Sequence, residues 1–314
     1  MRRCFVPVFC AVVALSCFAV LAEEKEGAFT RKEDVVYGRK FGSALTLDVF
    51  TPRAKSNGVG IIFVVSGGWY SSHDDIDRYA KPFIVQLAER GYTVFAVVHG
   101  SQPRYSIPEI LGDLDRAVRF VRLHATEYKI DPERIGVCGA SAGGHLSLML
   151  GTTGKDGNPE ATDPVERVSS RVQAVACLFP PTDFLNYGKE GENGLGRGIL
   201  EGFKAPFEFR EIDKRGRTIT PVTDEQKILV IGRDISPVNH VSSDDAPALI
   251  IHGDKDLLVP LQQSELIVER FKMRGVPYSL VVRPGEKHGW KDYSPDIKLM
   301  GDWFDKYLVA KVGK

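Results

Sequence analysis

The chain has 314 residues, of which 43% are hydrophobic and 26% charged, and its 41 Lys and Arg residues balance 41 Asp and Glu residues. A chain without a basic excess has no bulk charge to neutralise a phosphate backbone, so we expect no nucleic-acid partner. An aromatic content of 10%, together with many branched aliphatic residues, also argues against disorder. The composition favours a folded globular protein and leaves its oligomeric state open.

Residues 1–22 have the pattern of an export signal. Met1-Arg2-Arg3 is positively charged, and the run from Cys4 to Ala22 is almost entirely apolar. We expect cleavage after Ala22, which would leave residues 23–314 as one secreted or periplasmic domain without a membrane span. An uncleaved anchor is the alternative, because the apolar run is about as long as the ~20 residues that a spanning helix needs.

Two cysteines, Cys138 and Cys177, lie outside this leader. Both belong to apolar runs typical of buried strands, so we expect free thiols that pack as small hydrophobic groups. An export signal would permit a disulfide but does not indicate one. Cys and His residues nowhere have zinc-like spacing, and we predict no metal site.

From about residue 35 onward, short runs of β-branched residues alternate with longer amphipathic segments, a pattern typical of βαβ units. The first two runs, at 35–37 and 45–50, flank a Gly-containing turn and predict an antiparallel edge hairpin. The later strands are predicted at 60–65, 92–98, 134–139, 172–179, 248–252 and 278–282. The helices are predicted at 79–90, 107–121, 142–150, 261–273 and 297–311. We therefore predict an α/β fold with a mostly parallel central sheet and helices on both faces.

Two segments call for a separate interpretation. In the helix at 107–121 and just after it, Arg116, Arg119 and Arg122 fall outside the apolar stripe, which predicts a solvent-exposed basic face. Residues 183–239 are rich in Gly and charge and have weak periodicity. We interpret them as a cap-like insertion that packs over the sheet edge, because long loops in compact domains are usually functional or mobile.

The pentapeptide Gly139-Ala140-Ser141-Ala142-Gly143 matches the motif G-x-S-x-G, with a predicted strand before it and a helix after it. In that context a sharp turn exposes the hydroxyl of the central serine, and the flanking glycines avoid collisions. Ser141 is therefore the candidate nucleophile.

A serine nucleophile needs a general base and an orienting acid, which follow the serine in the order acid, then histidine, in this architecture. Asp256, which follows the strand at 248–252, is the preferred acid, with Asp254 as the alternative that more simply stabilises its own turn. His288 is the one histidine that comes after the acid, so it is the candidate base.

Acyl transfer also requires hydrogen-bond donors for the developing oxyanion. The backbone N–H of Ala142, directly after the nucleophile, is one candidate, and Gly67 and Gly68 after the strand at 60–65 are the others. Three aromatic residues near these positions are candidates for a substrate pocket that stacks on a sugar or an aromatic acyl group. They are Trp69, Tyr70 and Trp290.

The stretch YKIDPERIGVCGASAGGHL at 128–146, supported by Ser236-Pro237, by HGDKDLLVP at 252–260 and by His288-Gly289, resembles α/β-hydrolases of the esterase/lipase type. The resemblance runs from about Val35 to the C-terminus. It is strongest to the branch named for a bifunctional feruloyl and acetyl-xylan esterase, which is related to hormone-sensitive-lipase-like esterases. It implies an α/β-hydrolase fold and the same roles for the residues proposed above.

Two positions depart from the pattern of that family. The oxyanion loop usually reads His-Gly-Gly-Gly-Trp, whereas this chain has Val65-Ser66-Gly67-Gly68-Trp69. A neighbouring strand that usually ends in Asn-Tyr-Arg here ends in Val97-Val98-His99-Gly100. Both differences bear on substrate range more than on the type of reaction.

These observations predict an exported serine hydrolase that cleaves carboxylic esters through an acyl-enzyme and needs no cofactor. By analogy with the family, the substrate is a small-molecule or polysaccharide-linked ester that carries an acetyl, feruloyl or other short acyl group. One alternative is a serine exopeptidase of the prolyl-oligopeptidase type. The lack of room for an N-terminal propeller argues against it. The other is a catalytically silent hydrolase fold that serves as a binding module.

Overall fold

The structure is a computed structural model that describes residues 27, 29–53, 56–213, 215 and 218–310. The predicted leader at 1–22 lies outside the described residues. Among the residues that are described, no helix combines the length and apolar character needed to cross a membrane.

The central sheet has eight strands, and a separate short hairpin has two more within the described ranges. The strands are β1 (Phe29–Lys40), β2 (Ser43–Pro52), β3 (Gly60–Val65), β4 (Thr93–Val98), β5 (Ile135–Ala140), β6 (Ala174–Leu178), β7 (Arg210–Ile212), β8 (Ile219–Pro221), β9 (Ala248–Gly253) and β10 (Tyr278–Arg283). The order in the sheet is β1-β2-β4-β3-β5-β6-β9-β10. Only the β1–β2 and β2–β4 pairs of this sheet are antiparallel, so the predicted mostly parallel sheet is confirmed.

Helices cover both faces of the sheet. They are α1 (Lys81–Glu89), α2 (Ile107–Leu123), α3 (Ala142–Thr153), α4 (Glu225–Asp234), α5 (Gln262–Arg274) and α6 (Ser294–Phe304). Apolar side chains of α2, α3 and α5 form one core cluster with one face of the sheet, whereas those of α1 and α6 form a second cluster on the other face. Because β3, β5, β6, β9 and β10 are parallel, the loops that follow them meet at one edge of the sheet, where ligands usually bind in open α/β sheets.

Helix α2 illustrates how local sequence sets these elements. Ser106 and Glu109 form a capping box at its start, in which the Glu109 carboxylate accepts the backbone N–H of Ser106 at 3.0 Å. The apolar residues recur at helical spacing and are buried against the sheet. Capping and burial together account for a helix close to the predicted range.

The prediction of an exposed arginine face on α2 is wrong. Arg119 and Arg122 are only 7% and 8% exposed. Arg122 donates to the carbonyl oxygens of Arg171 at 2.6 Å and Pro132 at 3.0 Å, and Arg119 donates to that of Val168. The loop that precedes β6 supplies the carbonyl groups of Val168 and Arg171, a long-range contact that helical periodicity does not reveal.

The insertion between β6 and β9 consists of short 3₁₀ turns, the β7–β8 hairpin and α4. Its residues Phe184, Phe207 and Phe209 are buried in the same apolar cluster as α2 and α3. Gln263 at the start of α5 accepts the backbone N–H groups of Thr182 and Asp183, each at 2.8 Å. The insertion is therefore anchored at its beginning and shares the core of the sheet.

Candidate active site

Ser141 occupies a strained turn between β5 and α3. Its backbone has φ 54° and ψ −119°, a region that side chains rarely adopt and that often marks functional sites. A Cβ on Gly139 would lie 2.6 Å from the backbone of Gly143, and one on Gly143 would lie 2.8 Å from the carbonyl oxygen of Val64. The two glycines of the motif are thus required by close backbone contacts, which hold the strained serine in place.

The structure brings Ser141, His288 and Asp256 into one hydrogen-bonded chain. Nε2 of His288 lies 2.9 Å from the Ser141 hydroxyl oxygen, and Nδ1 lies 2.7 Å from a carboxylate oxygen of Asp256. The ring of Phe179, directly after β6, packs on the His288 imidazole with centroids 4.6 Å apart. The arrangement is that of a nucleophile, a base and an orienting acid.

The turn after β9 fixes the carboxylate of Asp256. One of its oxygens accepts the backbone N–H groups of Leu258 and Val259, each at 2.9 Å, so the other is left to the histidines. Burial alone would raise the carboxyl pKa, but the hydrogen bonds from His252, His288 and Val259 outweigh it and hold that pKa well below its ordinary value. Asp256 is therefore ionised throughout the neutral range, as an acid that stabilises an imidazolium must be.

A second histidine, which the sequence did not single out, supports this acid. His252, at the end of β9, is fully buried, and its Nε2 lies 2.7 Å from the carbonyl oxygen of Val259 and 3.4 Å from the Asp256 carboxylate. Its Nδ1 accepts the Ser264 hydroxyl at 2.6 Å. With Nδ1 as the acceptor, Nε2 carries the proton and faces the carboxylate.

Asp254, the alternative acid, lies outside the hydrogen-bonded chain. Its carboxylate accepts the backbone N–H of Gly285 at 2.6 Å, and the N–H of neighbouring Lys255 donates to the carbonyl oxygen of Glu286 at 2.8 Å. The expectation that Asp254 ties its own turn is wrong. Asp254 instead fastens the loop after β9, which carries Asp256 and is called the acid loop below, to the loop that carries His288.

The oxyanion loop after β3 is a four-residue turn. Gly67 and Tyr70 exchange two backbone hydrogen bonds of 2.9 Å each, and the central residues Gly68 and Trp69 both have positive φ, of 55° and 60°. This is the geometry of a type I′ turn, which favours glycine at the first central position and is unusual for tryptophan at the second.

The turn changes the set of oxyanion donors. The N–H of Gly67 is already bonded to Tyr70, so the prediction that Gly67 is a donor is wrong. Within the described ranges the N–H groups of Gly68, Trp69 and Ala142 have no hydrogen-bond partner. Gly68 and Ala142 remain the predicted candidates, and Trp69 is the additional candidate that the loop offers.

The indole of Trp69 anchors the oxyanion turn in the hydrophobic core. It is only 2% exposed, so the prediction that it lines an open substrate pocket is wrong. Its Nε1–H donates to Nδ1 of His145 at 3.1 Å, and Nε2 of His145 lies 2.7 Å from the carbonyl oxygen of Ile235 at the end of α4. Phe203 and Phe207 of the insertion pack edge-on against the indole.

His145 therefore links the oxyanion loop to the insertion. Burial lowers its pKa to about 4, although its hydrogen bond to Ile235 opposes the change. The neutral ring accepts from Trp69 and donates to Ile235, which uses both nitrogens. These contacts with the loop and the insertion could not be read from the position of His145 on its helix.

The two remaining pocket candidates differ in their exposure and contacts. Tyr70 is 48% exposed at the end of the oxyanion turn. Trp290 is partly buried; its indole donates to Asp296 at 2.8 Å and packs against Phe179 with centroids 5.5 Å apart. Trp290 thus supports the aromatic wall behind His288, and Tyr70 is the more accessible of the two.

In the part of the chain that the structure describes, two free cysteines and one group of possible metal ligands lie outside this site. Cys138 and Cys177 are free and buried, and burial raises the pKa of both thiols, so neither resembles a reactive cysteine. Among the described residues Asp34, Asp48 and His73 could together approach a metal ion. The guanidinium of Arg31 already forms an ion pair of 2.6 Å with Asp48, so a positively charged side chain already neutralises this group.

Comparison with known proteins agrees with this geometry. LipM of Mycobacterium tuberculosis, a probable carboxylic ester hydrolase, is 31% identical over 76% of this chain and 51% of its own length. The esterase LipC of the same organism is 30% identical over 73% of this chain and 52% of its own length. The chain thus spans about half the length of the curated relatives it matches.

Solved structures give a similar result. A truncated form of a carbohydrate esterase from gut microbiota has a TM-score of 0.71 at 26% identity, over 90% of this chain and 98% of that one. An acetyl ester-xyloside bifunctional hydrolase from Caldicellulosiruptor lactoaceticus has a TM-score of 0.67 at 26% identity, over 87% and 95%. These matches confirm the predicted α/β-hydrolase fold.

The family comparison covers most of the described sheet. The model of the family described as BD-FAE matches residues 47–271, which include Ser141 and Asp256 and end before His288. The resemblance predicted from the sequence is confirmed: this chain belongs to the BD-FAE family of α/β-hydrolases.

Proposed function

We propose that this protein is a serine esterase that hydrolyses carboxylic esters through an acyl-enzyme. The observation that carries the proposal is the continuous chain from the Ser141 hydroxyl through His288 to Asp256, with hydrogen bonds of 2.9 and 2.7 Å. A binding module would have no need for a strained serine joined to a base and an ionised acid. The ester hydrolases among its relatives support the same reaction.

The first half of the reaction forms the acyl-enzyme. Nε2 of His288 accepts the Ser141 proton as the hydroxyl oxygen attacks the ester carbonyl, and Asp256 stabilises the imidazolium that results. The backbone N–H groups of Ala142 and of the oxyanion turn, at Gly68 and Trp69, donate to the oxyanion of the tetrahedral intermediate. His288 then returns the proton to the leaving alcohol as the bond between the carbonyl carbon and the alcohol oxygen breaks.

The second half repeats these steps with water. His288 accepts a proton from a water molecule, whose oxygen attacks the acyl carbonyl, and the proton returns to Ser141 when the acid product leaves. The strained backbone at Ser141 and the carboxylate of Asp256, held by two N–H groups, keep the reacting atoms in place between steps.

We further propose that the substrate is an acetyl, feruloyl or other short acyl ester linked to a carbohydrate and that the protein is exported. The similarity to a carbohydrate esterase and to an acetyl ester-xyloside hydrolase supports the substrate class. The apolar segment at 4–22 supports export. Detection of the protein only in the cytoplasm after cell fractionation, with its first 22 residues intact, would contradict export.

The activity is tested with p-nitrophenyl acetate and p-nitrophenyl butyrate, comparing the protein with Ser141→Ala. We expect hydrolysis by the wild type and a loss of at least roughly a thousandfold in the variant. Thermal unfolding of both proteins controls for misfolding. Equal activity in the variant would exclude Ser141 as the nucleophile, and an inactive, folded wild type would exclude the esterase proposal for these substrates. Release of acetate from acetylated xylo-oligosaccharides and of ferulate from methyl ferulate then tests the substrate class.

A further inference from the structure

A cavity of about 480 Å³ lies between residues 187–199 of the insertion and residues 256–260 of the acid loop. Its volume is within the range of small-molecule sites, and Asp256 itself is one of its lining residues. An acetyl group bound at Ser141 does not reach beyond the immediate surroundings of the serine. The cavity therefore offers room for another part of the substrate.

Two aliphatic side chains are held open to this cavity. Leu257 is 84% exposed and Ile199 is 45% exposed. Leu257 directly follows the acid, and the bonds from the N–H groups of Leu258 and Val259 to Asp256 fix the turn that presents it. The same hydrogen bonds that orient the acid thus keep a leucine in contact with solvent, at a cost in hydrophobic free energy that a bound ligand would relieve.

The two walls of the cavity are joined by hydrogen bonds. The hydroxyl of Tyr187 donates to the carbonyl oxygen of Leu258 at 3.0 Å. The side chain of Gln262 accepts the N–H of Gly188 at 3.1 Å and donates to the carbonyl oxygen of Asn186 at 2.9 Å. The cavity is therefore already formed without a ligand, which lowers the entropic cost of binding.

The charges that line the cavity are compensated. Lys189 pairs with Glu192 at 3.0 Å and Arg197 with Glu225 at 2.9 Å. Asn193 accepts the N–H of Leu195 at 2.8 Å through its carbonyl oxygen, which leaves its amide N–H groups for a ligand. Aliphatic groups beside paired charges and a free amide favour a neutral ligand with both apolar and hydroxyl-bearing surfaces over an anion.

The position of the cavity identifies the part of the ester that it receives. His288 returns its proton to the leaving alcohol, so the alcohol lies on the histidine side of Ser141. Asp256 is on that side, bonded to His288 at 2.7 Å. The cavity therefore adjoins the histidine side of the site through Asp256.

We propose that this cavity binds the alcohol part of the substrate and that this part is a neutral sugar residue, held between Leu257 and Ile199. The assignment rests on the proposed esterase function, because it takes the direction of the leaving alcohol from that reaction. It places the selectivity for carbohydrate esters in the contact between the insertion and the acid loop.

Binding is measured first, without catalysis. Unacylated xylotetraose is titrated calorimetrically into Ser141→Ala, and into the same protein carrying Ile199→Asp or Leu257→Ala. The matched control is Val230→Asp, since Val230 is a 49% exposed apolar residue of the insertion that does not line the cavity. We expect each cavity change to weaken binding roughly tenfold and the control to leave it unchanged. Equal affinity in all four proteins, or no binding to any, would overturn the proposal.

Activity then distinguishes the alcohol from the acyl group. With Ser141 restored, the cavity variants are compared on acetylated xylo-oligosaccharide, ethyl acetate and methyl ferulate. We expect the ratio of kcat/KM for the oligosaccharide to that for ethyl acetate to fall roughly tenfold. A selective loss on methyl ferulate would show instead that the acyl group occupies the cavity and would overturn the assignment. Failure of the esterase proposal would appear separately, as a wild type inactive on all three esters.

Discussion

The two sides of the candidate active site are held in different ways. On the acid and base side, Asp256 is fixed by N–H groups of its own turn, by His252 at the end of β9 and by His288 in the loop after β10. On the oxyanion side, the turn at Gly67–Tyr70 rests on Trp69, whose partners are His145 and aromatic residues of the insertion. Groups that transfer protons are thus positioned by local backbone, whereas groups that stabilise charge depend on packing from a distant segment.

This difference predicts distinct consequences of mutation. Damage on the acid and base side should remove catalysis while the fold persists, because few core contacts are lost. Damage on the oxyanion side should affect catalysis and the packing of the insertion together.

The largest effect is expected for Asp256→Asn. The amide cannot stabilise an imidazolium and favours the wrong tautomer of His288, so we expect kcat to fall by roughly 10³- to 10⁴-fold. Asp254→Asn is the matched control, since this residue bonds the N–H of Gly285 and lies outside the hydrogen-bonded chain. Steady-state kinetics on p-nitrophenyl acetate measures both. A larger loss in the Asp254 variant would reverse the assignment of the acid.

A smaller effect is expected for Gly68→Ala. The added Cβ would lie 2.6 Å from the Phe203 ring at a position whose φ is 55°, so the turn must shift and move an oxyanion donor. We expect kcat to fall by roughly a hundredfold. Gly42→Ala is the control, because Gly42 has φ 79° and open space around its Cβ position in the β1–β2 turn. Similar kinetics of the two variants would mean that the Gly68 turn does not contribute to catalysis.

The smallest effect concerns stability and pH. His145 is buried with a pKa of about 4, below its value of about 6.5 in an unfolded chain. The unfolded state therefore binds the proton first, and stability is lost as the pH falls from about 6.5 towards 4, by up to roughly 3 kcal/mol.

His145→Gln tests this link, because an amide can still accept from Trp69 and donate to Ile235 but does not titrate. Denaturant unfolding at pH 7 and pH 5 should show a smaller loss of stability on acidification in the variant than in the wild type. Some pH dependence should remain, since burial also lowers the pKa of His99 to about 4. An identical loss of stability in both proteins would mean that His145 does not take up a proton when the protein unfolds.

The same contrast explains what the sequence could predict. The fold class and the family were predicted correctly, because strand and helix periodicity and the G-x-S-x-G motif are local. The order of residues along the chain also singled out Ser141, Asp256 and His288, which the structure brings together because parallel strands end at one edge. Because Asp254 and Asp256 are only two residues apart, the geometry of the turn determines which of the two carboxylates contacts His288.

Most of the errors involve long-range contacts. Gly67 was predicted as a donor because glycine fits an oxyanion loop, but its N–H is bonded within the turn. Trp69 was expected in the pocket, yet the insertion buries it. Arg119 and Arg122 are buried for the same reason, since a remote loop covers them. The burial of Trp69 and of the two arginines depends on segments far away in sequence, whose positions no local pattern encodes.

The most direct test of the account is the covalent chemistry of Ser141. The protein is treated with diisopropyl fluorophosphate, which modifies activated serines, and the adduct is located by peptide mass spectrometry. We predict one adduct, on Ser141, that forms as esterase activity disappears and is greatly slowed in His288→Ala. An adduct on another residue, or full esterase activity after Ser141 is modified, would contradict the assignment of the nucleophile.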